Sequence, residues 1–89
     1  MKLFAFEGVE TDWVAANDEA EARATLKRHA GIDDEDIALS YERVLEVDPN
    51  EVEFDTDETD TETEETVTTT AAKIMEGKTR PFVVGSTYV

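Results

Sequence analysis

There is no cysteine in these 89 residues, which excludes a disulfide framework, a thiolate nucleophile and a Cys-ligated zinc, so the fold must hold by packing alone. Cations are scarce too. Lys and Arg number 8 against 23 Asp and Glu, a formal charge of -15. Binding to nucleic-acid phosphates needs clustered Lys and Arg to displace counterions, and anionic lipid surfaces ask for the same, so neither partner is expected. No run approaches the ~18 apolar residues of a membrane span. The first residues, Met1-Lys2-Leu3-Phe4-Ala5-Phe6-Glu7, meet an acid before a signal-peptide core could form, and a cytoplasmic location is expected. Gly-x-Ser-x-Gly, a phosphate loop and Gly-x-Gly-x-x-Gly are all missing, which removes the commonest sequence marks of hydrolases and nucleotide binders.

What is present suits one small domain. Hydrophobic residues make up 39% of the chain, enough for a modest core that hides roughly 60% of the unfolded surface and leaves little room for a deep, dry active site. Asp, Glu and Thr are abundant and Lys is rare, a balance that resembles proteins of salt-loving organisms. Self-repulsion at this charge weakens the fold in dilute buffer, whereas screening shortens to about 3 Å at 1 M salt, so the chain is expected to be most stable in brine.

Residues 2 to 16 predict a hairpin. Leu3 to Phe6 and Trp13 to Ala16 are two aromatic-bearing runs, with turn chemistry from Gly8 and Asp12 between them. Trp13 is expected to pack on the neighbouring helix. That helix is predicted over Asn17 to Ala30: Asn17 as cap, Asp18, Glu19 and Glu21 at the anion-favouring end, Lys27, Arg28 and His29 at the cation-favouring end, and a left-handed stop at Gly31 with Ile32 folding back toward Leu26. Ala22, Leu26 and Ala30, with Ala20 and Ala24, give it a thin apolar stripe.

Asp33 to Asp36 reads as a polar connection. From Ile37 a period of two (Ile37, Leu39, Tyr41, Leu45, Val47) predicts a half-buried strand, broken at Arg43 and Val44. After the turn Asp48-Pro49-Asn50, Val52 and Phe54 could add a short edge strand, closing a core of strand, strand, helix and strand over residues 1–54. Residues 55–66, DTDETDTETEET, hold no apolar side chain, and a mobile acidic linker is expected there. Val67 to Gly77 reads as a short helix capped by a threonine and stopped by Gly77, and Phe82 to Val89 as a strand; residues 67–89 are expected to dock on the core because so short a helix cannot persist alone. The fold class is α+β: three to four antiparallel strands packed by one main helix, with a short C-terminal helix and strand.

Chemistry-bearing constellations are weak. His29 on the last turn of a helix is explained by its contact with the dipole. The 23 acids make close carboxylate pairs inevitable, yet acid chemistry needs one made unusual by burial. Asp55-x-Asp57 starts like a calcium loop, but the fifth, sixth and twelfth places hold Thr59, Asp60 and Thr66 where the EF-hand asks for Asp or Asn, Gly and Glu. No catalytic, metal or cofactor residue is assigned. A line of carboxylates such as Asp33 to Asp36 could imitate DNA phosphates in a basic groove, or loosely hold divalent cations. The favoured reading is a non-catalytic protein acting through a protein partner or a second copy of itself, with Trp13, Tyr41, Phe82, Val84 and Tyr88 as the candidate surface, since aromatics at a sheet edge can pair with a partner strand.

The stretch Asp12 to Ala22 closed by Gly31-Ile32 resembles the strand-then-capped-helix start of many small uncharacterised proteins of bacteria, archaea and their phages. Thr70-Ala71-Ala72 followed by Phe82 and Gly85-Ser86-Thr87-Tyr88 looks like the end of similar phage or mobile-element proteins. The resemblance covers about a third of the chain, implies an accessory role in a phage, prophage or plasmid, and carries no site residues with it.

Overall fold

The computed structural model describes residues 1–59 and 66–88, with side chains described for 1–54 and 68–86. Nine elements follow in chain order: β1 (Lys2–Gly8), β2 (Glu10–Ala16), α1 (Glu19–Ala30), α2 (Asp34–Ser40), β3 (Tyr41–Val47), β4 (Glu53–Thr59), β5 (Thr66–Thr70), α3 (Ala71–Met75) and β6 (Phe82–Tyr88). The class is α+β. A four-stranded antiparallel sheet, in the order β3-β1-β2-β6, packs against α1; β4 and β5 form a separate two-stranded sheet.

The β1–β2 pairing sorts the hairpin into two faces. Phe4 lies opposite Val14 and Phe6 opposite Asp12, while Leu3 lies opposite Ala15 and Ala5 opposite Trp13. The first set meets the helices: Phe4, Phe6, Val14 and Ala16 form one cluster with Ala22 and Leu26 of α1 and Ile37 of α2, and Ile32, Tyr41, Val44 and Val83 pack around it. The turn is tighter than the sequence predicts, spanning Gly8 to Glu10, so Asp12 is a buried strand residue and not turn chemistry. Trp13 faces away from α1, with its ring edge-to-face on Phe54 of β4 at 5.0 Å, which corrects the expected helix contact.

Helix α1 starts one residue later than expected. Asp18 is the cap and its side chain accepts from the Glu21 N–H at 2.7 Å, while the Asn17 N–H donates to the Glu21 carboxylate at 2.8 Å. Asp18 has the extended backbone of a cap residue, and Asn17 becomes the outer partner of a reciprocal cap. Gly31 takes the left-handed conformation at φ 69°, and the N–H groups of Gly31 and Ile32 both reach the Lys27 carbonyl. The apolar stripe is narrower than predicted: Ala22, Thr25 and Leu26 are buried, whereas Ala20, Ala24 and Ala30 are exposed.

The run expected as a connection and strand is a helix first. Asp33 and Asp36 complete a capping box, each side chain accepting from the other's backbone N–H, and three acids occupy the first turn of α2. That cap outweighs the alternation from Ile37. Strand β3 begins only at Tyr41, in a register that puts Val44 opposite Phe6 and leaves Leu45 and Leu39 exposed. The closeness of α2 to β1 is made possible by Gly8, where an added Cβ would lie 2.1 Å from the Ser40 carbonyl oxygen.

Residues 55–66, expected as a linker, begin inside β4 and end on the first residue of β5; positions 60–65 lie outside the described residues. The pairing sets Glu53 opposite Thr70, Phe54 opposite Thr69 and Asp55 opposite Thr68, so acidic residues of β4 pair with threonines of β5 and not with one another. Val67 to Thr70 are consequently strand, and α3 is confined to five residues, with Thr70 capping the Lys73 N–H and Gly77 at φ 77° after its end. Phe54 does not extend the main sheet as an edge strand; it lies over that sheet's second face.

Candidate functional site

A buried polar cluster lies on the helix-covered face. Asp12 of β2 is 7% exposed and accepts one hydroxyl on each carboxylate oxygen, from Tyr41 of β3 and from Ser86 of β6. The two donors come from the two outer strands, so this carboxylate ties both edges of the sheet to its centre. The Tyr41 ring stands edge-on to Phe6 at 5.8 Å. Burial first, and then the hydrogen bond to Asp12 with its negative charge, push the Tyr41 hydroxyl well above its ordinary value, keeping it a donor throughout the neutral range. Since each Asp12 oxygen already holds a hydroxyl, the arrangement is that of a structural tie.

Immediately outside this tie is a shallow apolar depression of about 420 Å³, to which Val9, Glu10, Ala30, Ile32, Leu39 and Tyr41 contribute. Its position follows from local causes. The tight turn thrusts Val9 outward from the end of β1, the two-residue stop of α1 brings Ile32 beside it, and the box-capped α2 delivers Leu39 two residues before Tyr41. Val9 is 83% exposed and Leu39 80%, and no other large hydrophobic side chain with a described environment exceeds 40%. Single exposed aliphatics are ordinary, but two that share a depression lined by a half-buried isoleucine and a tyrosine make a patch.

The elements that build the patch carry acids. Asp33, Asp34, Glu35 and Asp36 are exposed on the first turn of α2, Glu42 is exposed on β3, and Glu10 is in the lining. Lys27 and Arg28 flank Ile32 on its other side, and Lys27 is paired with Asp34 at 3.2 Å. Hydrogen bonding to the Asp36 backbone holds the Asp33 carboxyl below its usual range. Among the described residues, no three or more His, Asp or Glu side chains come together as a metal site, and no helix is long and apolar enough to cross a membrane. His29 is exposed.

The four described side chains of the expected surface, Trp13, Tyr41, Phe82 and Val84, do not share one face. Tyr41 lies on the helix-covered face at one edge of the sheet. Trp13 is half-buried on the opposite face, where Phe82 also lies, opposite Ala15. Val84 is the extra residue of a bulge in β6, between Gly85 opposite Trp13 and Val83 opposite Val14. The Tyr88 backbone pairs with Glu10, and its side chain is outside the described residues. Of the four described side chains, Tyr41 lines the depression. Sequence reasoning missed Val9, hidden in a turn, and Leu39, whose parity with Ile37 and Tyr41 marked it as inward. A signal was available: Asp33-x-x-Asp36 ahead of Ile37 is an acidic capping box, which turns Leu39 away from Ile37 by helical rotation. Comparison with family models, curated proteins and solved structures finds no match for this chain.

Proposed function

We propose that this chain is a non-catalytic accessory protein of the cytoplasm that works by contact with another protein, docking through the apolar end formed by Val9, Leu39, Ile32 and Tyr41. One observation carries the reading: two aliphatic side chains stand more than three-quarters exposed around a shared concavity, on a chain with 23 Asp and Glu against 8 Lys and Arg. The buried Asp12 tie supports it by fixing Tyr41, and with it one wall of the depression. The acid run at Asp33 to Asp36, the strongest motif for a DNA mimic or a cation holder, has a structural use, because Asp33 and Asp36 cap their own helix. The resemblance to phage and mobile-element proteins supports an accessory setting, which the genomic neighbours of the gene would test.

The direct test is co-purification from the native host with three surface variants. Val9→Asp and Leu39→Asp, together, are expected to abolish recovery of a partner that the wild type and Leu45→Asp both retain. Retention by the double variant, or no partner with the wild type, removes the proposal.

A further inference from the structure

Resting on that reading, we infer that the occupant of the depression is a short amphipathic segment of another protein whose apolar side chains are flanked by Lys or Arg, and not a second copy of this chain. Shape is the first argument. A volume of about 420 Å³ lies toward the small end of the ~300–1,000 Å³ range of ligand sites, and it is open, so it suits a few projecting side chains of a helix or loop. A symmetric contact between two copies places the same patch on both sides.

Charge is the second argument. Glu10 in the lining, with Asp33, Asp34, Glu35, Asp36 and Glu42 on α2, its cap and the start of β3, make six carboxylates on the elements that build the patch, against Lys27 and Arg28 on its Ile32 side. A seven-residue helix is about 10 Å long, so even the far end of α2 lies close to a Debye length from Leu39 at physiological salt. Two copies joined at this end would bring twelve carboxylates together, whereas a cationic segment would find each of them complementary. The apolar side chains supply the contact area and the flanking cations supply steering and orientation.

The experiment uses the ¹⁵N-labelled full chain and three synthetic peptides of equal length: Leu/Lys with leucines at helical spacing, Leu/Gln with the same leucines, and Gly/Lys with the same lysines. At about 0.1 M KCl, near-physiological screening, the Leu/Lys peptide is expected to give saturable amide shifts centred on Val9, Ile32, Leu39 and Tyr41, at least tenfold tighter than either control. Val9→Asp with Leu39→Asp should weaken it at least tenfold, while an unchanged amide spectrum elsewhere shows that the fold is kept. Equal binding of Leu/Gln at the same residues overturns the charge inference and leaves the docking reading standing. Concentration-dependent shifts at those residues without peptide identify a second copy as occupant and overturn the inference alone. Shifts that are absent, or that Gly/Lys reproduces, overturn both.

Discussion

The two faces of the four-stranded sheet are buried by opposite means. On one, α1 and α2 press aliphatic side chains into Phe4, Phe6 and Val14. On the other, where Leu3, Ala5 and Ala15 are buried, the first side chain of the acidic hairpin to reach the sheet is Phe54, lying over Trp13 and Gly85. The helix face is held by interlocking volume. On the hairpin face the described contacts are those of the Phe54 ring with Trp13 and Gly85, from strands whose own pairing sets Glu53 and Asp55 opposite threonines. The same sheet is thus covered by aliphatic packing on one side and, on the other, by a layer from which the Phe54 ring is the contact described.

The comparison can be broken most sharply by removing one ring from each face. Phe6→Ala, fully buried and edge-on to Tyr41, is expected to cost about 4 kcal/mol, and Phe54→Ala, half-buried, about 2 kcal/mol, in urea unfolding at fixed high salt. Equal losses would show that the hairpin belongs to the main core and is no lighter layer.

Glycines offer the second contrast. At Gly8 a methyl group would strike the Ser40 carbonyl, which is backbone and cannot turn aside, so Gly8→Ala is expected to cost about 3 kcal/mol. At Gly85 the methyl would meet the edge of the Phe54 ring at 2.7 Å, and that side chain can rotate, so Gly85→Ala should cost about 1 kcal/mol. A thermal denaturation ranking in the reverse order would mean that Phe54 is held more rigidly than the α2 junction.

What the sequence discloses follows the same division. The helix face was readable because Leu26 and Ala22 recur at helical spacing and Gly31 stops the helix; α1, the first hairpin and the antiparallel α+β class emerge from those residues. The hairpin face was hidden, because an apolar count treats Asp55 to Thr66 as empty while its threonines are sound strand formers that need only backbone partners. The candidate site was half legible. Tyr41 was recognised as an aromatic at an edge, but Val9 and Leu39 depend on a turn and a capping box whose local chemistry overrode a convincing alternation.

Loss of the tie between the edges should cost less than loss of the Phe6 ring or a methyl group at Gly8. Asp12→Ala strands the hydroxyls of Tyr41 and Ser86 and is expected to cost about 2 kcal/mol, whereas Asp12→Asn, which can still accept one of them, should recover about half of that. The amides of β3 and β6 should exchange hydrogen faster in Asp12→Ala while those of β4 and β5 change little. Uniform acceleration across all six strands would show that the tie acts on the whole fold and not on the helix-covered sheet.

The smallest effect is a slope with pH, and it isolates the same tie without deleting it. A folded-state value raised above the ordinary 10.0 means that, above that pH, the unfolded chain releases a proton that folded Tyr41 keeps. The stability Tyr41 contributes is therefore complete below pH 10 and declines as the pH rises through the folded value. One proton limits the slope to about 1.4 kcal/mol per pH unit, and partial exposure reduces it further. Urea titrations between pH 8 and 11 should show this decline in the wild type and a shallower one in Tyr41→Phe, with Tyr88 common to both chains. Parallel curves for the two proteins would place the Tyr41 hydroxyl in water, free of Asp12, and the wall it forms beside Val9 and Leu39 would lose its anchor to the sheet.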